Sequence, residues 1–444
     1  MLGIAVPLAV AYLAEMAMVV TDRIIVGRLG ATELAAVGLT GDLMFEVMVV
    51  AMGVVSVVGV LVARCIGADE NHRIRAQVRQ GLWVATILSV PMTIFCWYIT
   101  DLLSFTGQDP KVMELGKVYL TSAVWCLLPT LWFTVLRQFL AALERMNSIL
   151  YITIAVVFLN AALTYSLVFG AFGMPQLGVA GAGIATSVVC WIMFFALMFH
   201  VVRATGLRDY ALLTNIHRID FSVIREVFAL GLPVGGITLV ESGLFAIIAI
   251  MMGLFGAQAL AASQVVVSML IPFFVIALSI GEATALRVSL YAGRGRPRSA
   301  RRTGFVGMGI GGVVMLAGST MLVLIPDRLT SIFVDINDPK NAEVVAFATA
   351  LFTVAAVFQL SDGLQAIAAR ALRGLKDTVL PMWIAAVGYW GFGLTTGYII
   401  GFPLGYGAPG LWWGTAIGLT VTAALLTWRF VVLSTREVAN APHL

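Results

Sequence analysis

Seven carboxylates fall inside long runs of apolar residues: Glu15, Asp22, Asp42, Glu46, Glu241, Glu282 and Asp362. No lysine lies inside those runs to neutralise them. An ionised group at the centre of a bilayer costs about 2.5 to 3.5 kcal/mol, so an acid kept there is a candidate to bind a proton or a cation. Glu241 stands in Leu239-Val-Glu-Ser-Gly243 with no cation within two helical turns along the chain. Asp362 stands in Phe358-Gln-Leu-Ser-Asp-Gly-Leu-Gln365. There Gln359, Asp362 and Gln365 recur every three residues, so on a helix they share one face and would line a wet cavity. These two acids lead the candidates. Asp22 is followed by Arg23, and Asp42 and Glu46 lie one helical turn apart. For these three, a buried ion-pair cluster around Arg23 is the structural alternative to a binding role. Glu282 lies close to Arg287 and reads as an interfacial residue.

The elements that must hold these acids follow from composition. Of 444 residues, 60% are hydrophobic and 11% charged, where soluble proteins carry about 25% charged residues. The mean hydropathy is +0.99. Apolar blocks long enough to cross about 30 Å of hydrocarbon recur along the whole chain. They are placed at 3–26, 36–63, 80–103, 118–142, 150–171 and 178–202, then at 226–253, 262–290, 303–325, 343–369, 378–402 and 408–433. The fold class is therefore an all-α polytopic membrane protein of twelve transmembrane helices. That count leaves no room for a separate soluble domain, and it argues against a nucleic-acid partner. The first block starts at Leu2 without a basic region ahead of it and reads as a retained span, not a cleavable leader.

Basic residues test the count. Twenty-one of the 27 fall at even-numbered connections or the tail, including Arg137, Arg370 and Arg373, and six fall at odd-numbered ones. By the positive-inside rule both termini are expected on the cytoplasmic side, and the net charge of +4 reports orientation more than partners. Sliding the chain by 226 positions pairs Pro7 with Pro233, Leu13 with Leu239, Glu15 with Glu241, Gly27 with Gly253, Gly30 with Gly256 and Leu34 with Leu260. Chance would give about two matches over this window. Two six-helix halves entering from the same side should be related by a pseudo-two-fold axis along the membrane normal. The expected organisation is an N-terminal bundle at 1–202, a cytoplasmic linker at 203–225, a C-terminal bundle at 226–433 and a cytoplasmic tail at 434–444.

Other chemistry is scarce. Cys65, Cys96, Cys126 and Cys190 are far apart in sequence and read as packing residues; His72, His200, His217 and His443 sit at or outside span ends. No intramembrane histidine, His-Glu-x-x-His or Gly-x-Ser-x-Gly motif supports an enzyme. Gly307, Gly309, Gly311, Gly312, Gly414 and Gly418 read as close helix packing. Pro7 and Pro233 each precede a glutamate by eight residues and could bend the first span of each half.

The chain resembles the multidrug and toxic compound extrusion (MATE) transporters, and within them the NorM-like branch. The resemblance is carried by Thr21-Asp-Arg-Ile-Ile-Val-Gly-Arg-Leu-Gly30, Val78-Arg-Gln-Gly-Leu-Trp83, Phe172-Gly-Met-Pro-Gln-Leu-Gly178, Glu241, Gln264, and Ser361-Asp362 with Leu372-Arg-Gly-Leu-Lys-Asp-Thr378. It implies that Glu241, Gln264 and Asp362 bind cations in the second half, and that Asp22 and Asn160 form the polar site of the first. Phe358 stands where relatives often have Tyr, Thr164 where a second Asn is frequent, Arg23 where Thr is usual and Glu15 where Gln is usual. Losing a tyrosine oxygen weakens a sodium site, and the extra carboxyl of Glu15 adds a candidate proton site. The function implied is secondary antiport of lipophilic organic cations against protons or sodium by alternating access, with sodium at Glu241 and Asp362 as one option. No other cofactor or structural metal is expected. The setting implied is a functional monomer in the bilayer of a bacterial inner membrane. The alternative from the same wider superfamily is a flippase for lipid-linked or glycan precursors, whose cavity should be basic.

Overall fold

The computed structural model describes residues 1–103, 109–212, 214, 217–336 and 338–440. His443 and the last four residues of the expected tail lie outside the described residues. In hydrocarbon every backbone N–H and C=O must be satisfied internally, and a chain this apolar meets that demand with helices. Their order is α1 (Leu2–Gly27), α2 (Ala31–Gly67), α3 (Asn71–Leu103), α4 (Pro110–Ala123), α5 (Leu127–Ala142), α6 (Asn147–Phe169), α7 (Gly178–Arg203), α8 (Phe221–Leu254), α9 (Ala257–Gly293), α10 (Pro297–Leu324), the short α11 (Pro326–Thr330), α12 (Ala342–Gly374), α13 (Val379–Ala386), α14 (Thr395–Gly401) and α15 (Gly407–Ala439). A 3₁₀ turn, Val124–Cys126, joins α4 to α5 in one span. A π-helical stretch, Val387–Leu394, joins α13 to α14 in another.

Among the described residues these make twelve membrane-length segments, each on one of the twelve apolar blocks. The helices overrun the blocks because charged ends continue the helix beyond the apolar stretch. The repeat is visible in the elements themselves. Both α2 and α9 are 37 residues long, and they start at Ala31 and Ala257, the spacing that also separates Pro7 from Pro233. Gly256, with φ 110°, opens α9 from a backbone conformation that side chains rarely adopt. Asp220 opens α8. Its carboxylate accepts from the Ser222 hydroxyl at 2.7 Å and amide at 3.0 Å, contacts that hold it below the usual carboxylate pKa range.

The chain forms two compact units: Val10–Gly235, and Met1–Ala9 with Gly236–Leu444. Their boundaries fall inside α1 and α8, two residues past Pro7 and Pro233. Within the second unit, glycines let helices approach closely, as small residues do in membranes. A Cβ on Gly414 would strike the backbone of Gly397, and one on Gly418 the backbone of Gly393. Gly307 accommodates Thr284, and Gly311 accommodates Ile367. Gly309 and Gly312, expected to pack in the same way, have open space where a Cβ would stand. They lie off the buried stripe of α10.

Two of the arginines assigned to connections are instead interior. Arg137 of α5 is 2% exposed, and Arg373 of α12 is buried as well. Arg137 is drawn inward by the half-buried Glu15 and Arg373 by the buried Glu282.

Gly414→Val should lower stability by about 1 to 3 kcal/mol, the usual cost of overpacking, read as a fall in Tm of the purified protein. Gly312→Ala, with open space around it, should leave Tm unchanged or slightly raised.

Candidate functional site

In the unit Val10–Gly235, α1 presents Asp22 to α6 and α7. Asn160 and Thr164 lie one turn apart on α6, and both donate to Asp22 Oδ1 at 2.8 Å. The Thr186 hydroxyl of α7 approaches Oδ2 at 3.4 Å. The carboxylate is thus held by neutral donors from two helices, and among the described residues no Lys or Arg pairs with it. Tyr119 of α4 is an electrostatic neighbour. Thr164, shorter than the Asn frequent in relatives, still reaches the acid.

Glu15, seven residues earlier, sits differently. Its Oε1 accepts from Arg137 Nη1 at 2.8 Å, and the guanidinium also lies over Tyr12 and Phe133, 4.7 and 5.6 Å from their ring centroids. Asp42 pairs with Arg23, and Glu46 is exposed on the same helix. The Arg23 cluster weighed as buried is therefore exposed at both partners. The thiols of Cys126 and Cys190, remote in sequence, are electrostatic neighbours.

In the other unit Asp362 of α12 is 6% exposed, and Gln365 Nε2 donates to its Oδ1 at 3.3 Å. Glu241 of α8 and Arg370 of α12 are its electrostatic neighbours. Tyr389, carried by the π-helical stretch, is fully buried, has Glu241, Asp362 and Arg370 as electrostatic neighbours, and its hydroxyl has no hydrogen-bond partner among the described residues. Trp390, next in that stretch, donates from Nε1 to Val240 O at 3.0 Å and so ties it to α8 beside Glu241.

A cavity of about 140 Å³ opens nearby. Phe245 and Trp412 flank Phe358 with ring centroids at 6.0 and 5.8 Å, and Gln264, Ser263 and Thr415 supply its polar edge. The stripe Gln359–Asp362–Gln365 was expected to line a wet cavity. The wall is formed by Phe358 instead, because Gln359 turns toward Gly318 and Phe273 and is buried there. Glu282, read as interfacial, is buried and ion-paired with Arg373. The reason is that α9 and α12 pack together with their C-terminal ends buried.

Sequence reasoning missed Thr186, Tyr389, Arg370 and Trp412. Only Tyr389 carried a signal. It sits in Gly388-Tyr-Trp-Gly391, where paired glycines interrupt an apolar helix, and π-helical turns are frequent at functional sites.

These features define a polytopic helical membrane protein built, like many secondary transporters, from two sequence-related halves. The chain belongs to the MatE family, which it matches over residues 7–166 and again over 233–399. It is 38% identical to the probable multidrug resistance protein NorM of Rhizobium meliloti (strain 1021), across 99% of this chain and 94% of that one. It is 36% identical to the multidrug resistance protein NorM of Burkholderia vietnamiensis, across 99% and 95%. The crystal structure of the eukaryotic MATE transporter AtDTX14 superposes with a TM-score of 0.87 at 22% identity, covering 99% of this chain and 97% of that chain.

Removing one partner of a buried ion pair costs about 3 to 5 kcal/mol because the other charge is left uncompensated. Glu15→Gln should therefore lower Tm sharply, and Glu15→Gln with Arg137→Met should recover most of the loss. Equal Tm values for the wild type and Glu15→Gln would show that the pair does not stabilise the fold.

Proposed function

We propose that the protein is a secondary active multidrug efflux antiporter that exports lipophilic organic cations in exchange for protons or sodium ions. The observation that carries the reading is the environment of Asp362. A buried carboxyl with Glu241 and the Tyr389 hydroxyl as neighbours stands one helical turn from Phe358, which walls an aromatic cavity. The carboxyls supply charge, and Phe245, Phe358 and Trp412 supply a surface that accepts many flat cations. The names of the NorM relatives support drugs as the cargo class.

The mechanism is competition. Deprotonated Asp362 and Glu241 attract an organic cation from the cytoplasm, and a proton or sodium ion from outside displaces it. Asp22 with Asn160, Thr164 and Thr186 serves as the second ion site in the first half. Pro7 and Pro233, close to the points where α1 and α8 pass between the compact units, supply the bending that alternating access requires. The protein works as a monomer in a bacterial inner membrane with both termini cytoplasmic. A flippase for polyanionic precursors would want basic residues around its cavity, and among the described residues no Arg or Lys lines this one.

Ethidium efflux from proteoliposomes, with proton and sodium gradients imposed separately, tests the reading and identifies the coupling ion. Asp362→Asn should reduce efflux to the level of empty vesicles at unchanged membrane expression. Retained efflux in that variant would remove Asp362 from the mechanism, and silence of the wild type under both gradients would overturn cation antiport.

A further inference from the structure

The start of α10 is the most basic stretch of the chain, with Arg294, Arg296, Arg298, Arg301 and Arg302 within nine residues. Arg298, Arg301 and Arg302 line a groove of about 680 Å³ whose remaining wall is Phe305, Val306 and Val438. That volume is within the roughly 300 to 1,000 Å³ of small-ligand sites. The groove lies between α10 and α15, which are locked together beside it. A Cβ on Gly304 would strike the ring of Phe430, and Phe305 meets that ring edge-on at 5.7 Å.

Two properties of the groove point to one kind of ligand. Among the described residues none of the three arginines forms an ion pair; Arg301 lies instead over Phe305, 5.7 Å from the ring centroid. The acid beside the groove is Glu437, next to Val438 and preceded by Arg436, so the local charge stays strongly positive. Guanidinium forks match phosphate oxygens in pairs. Phe305 and Val306, 39% and 45% exposed, begin the apolar run on which a hydrocarbon chain can lie. Free phosphate would use the arginines and leave the apolar wall bare.

We propose that this groove is a binding site for an anionic phospholipid, with the two phosphates of diphosphatidylglycerol seated on Arg298, Arg301 and Arg302 and an acyl chain running along Phe305 and Val306. A basic pocket at the polar end of membrane helices is suited to such headgroups.

The full chain purified in detergent is titrated with diphosphatidylglycerol, phosphatidylethanolamine or inorganic phosphate, with lipid retention followed by native mass spectrometry and Tm by thermal unfolding. The expected result is retention of diphosphatidylglycerol with a rise in Tm, and no rise with the other two. R298Q/R301Q/R302Q should weaken that binding about a hundredfold, taking about one factor of five per arginine. R75Q/R208Q/R225Q, which removes three arginines elsewhere, should not. Should the groove variant fail to fold, Arg298→Gln alone and Phe305→Ala alone should each weaken retention. Equal retention by groove variant and wild type overturns the site. Equal loss in the distant variant reduces it to general surface charge, and a matching Tm rise with inorganic phosphate makes it a free-anion site; both overturn the proposal.

Discussion

A carboxylate buried among apolar helices must be stabilised by something other than bulk water, and what stabilises each one divides the acids of this protein into two kinds. Glu15 and Glu282 are met by Arg137 and Arg373, which are buried to the same end. Such pairs fix a charge in place, since neither partner can leave without stranding the other. Asp22 is met by an amide and two hydroxyls, and Asp362 by the amide of Gln365. Neutral donors lower the cost of burying the charge without cancelling it. Under the proposed function, a proton or a cation arrives and departs there without an ion pair having to break.

That distinction depends on helices that place donors at the right depth, which rests in turn on small residues. Asn160 and Thr164 share a face of α6 because they are four residues apart, and both reach the same oxygen of Asp22. In the other unit, the glycine contacts between α14, the π-helical stretch and α15 bring backbones nearly together. The wider π turn shifts the register of the helix, and it carries Tyr389 into the interior while Trp390 bonds the backbone of α8.

The spans were legible because a bilayer writes its thickness into the sequence as blocks of about twenty apolar residues. All twelve segments coincide with such blocks, with ends displaced where helices continue into charged sequence, as α2 and α12 do. The acids were legible for the complementary reason that a charge stands out against an apolar run. Their partners were not. Thr186 and Tyr389 are ordinary residues in apolar helices until tertiary packing points them at a carboxylate. Arg137 and Arg373 were misplaced because counting basic residues by connection assumes that an arginine near a span end faces water. A long side chain with a buried acid within reach does the opposite.

The pair Glu15 and Glu241 shows how an internal duplication can diverge in role while keeping its residues. The two occupy matched positions eight residues past matched prolines, in helices that open the two halves. Glu15 has an arginine seated against it, and that arginine lies over two aromatic rings. Glu241 has a second acid, Asp362, in its electrostatic neighbourhood, with Tyr389 and Arg370 close to both. One arginine cannot balance two ionised acids, so under the proposed function a proton or cation supplies the remainder, whereas one acid on one arginine forms a balanced pair. The glutamate at the matched position is therefore ion-paired in one half and neighbour to a second acid in the other, and the difference lies in what the neighbouring helices bring to it.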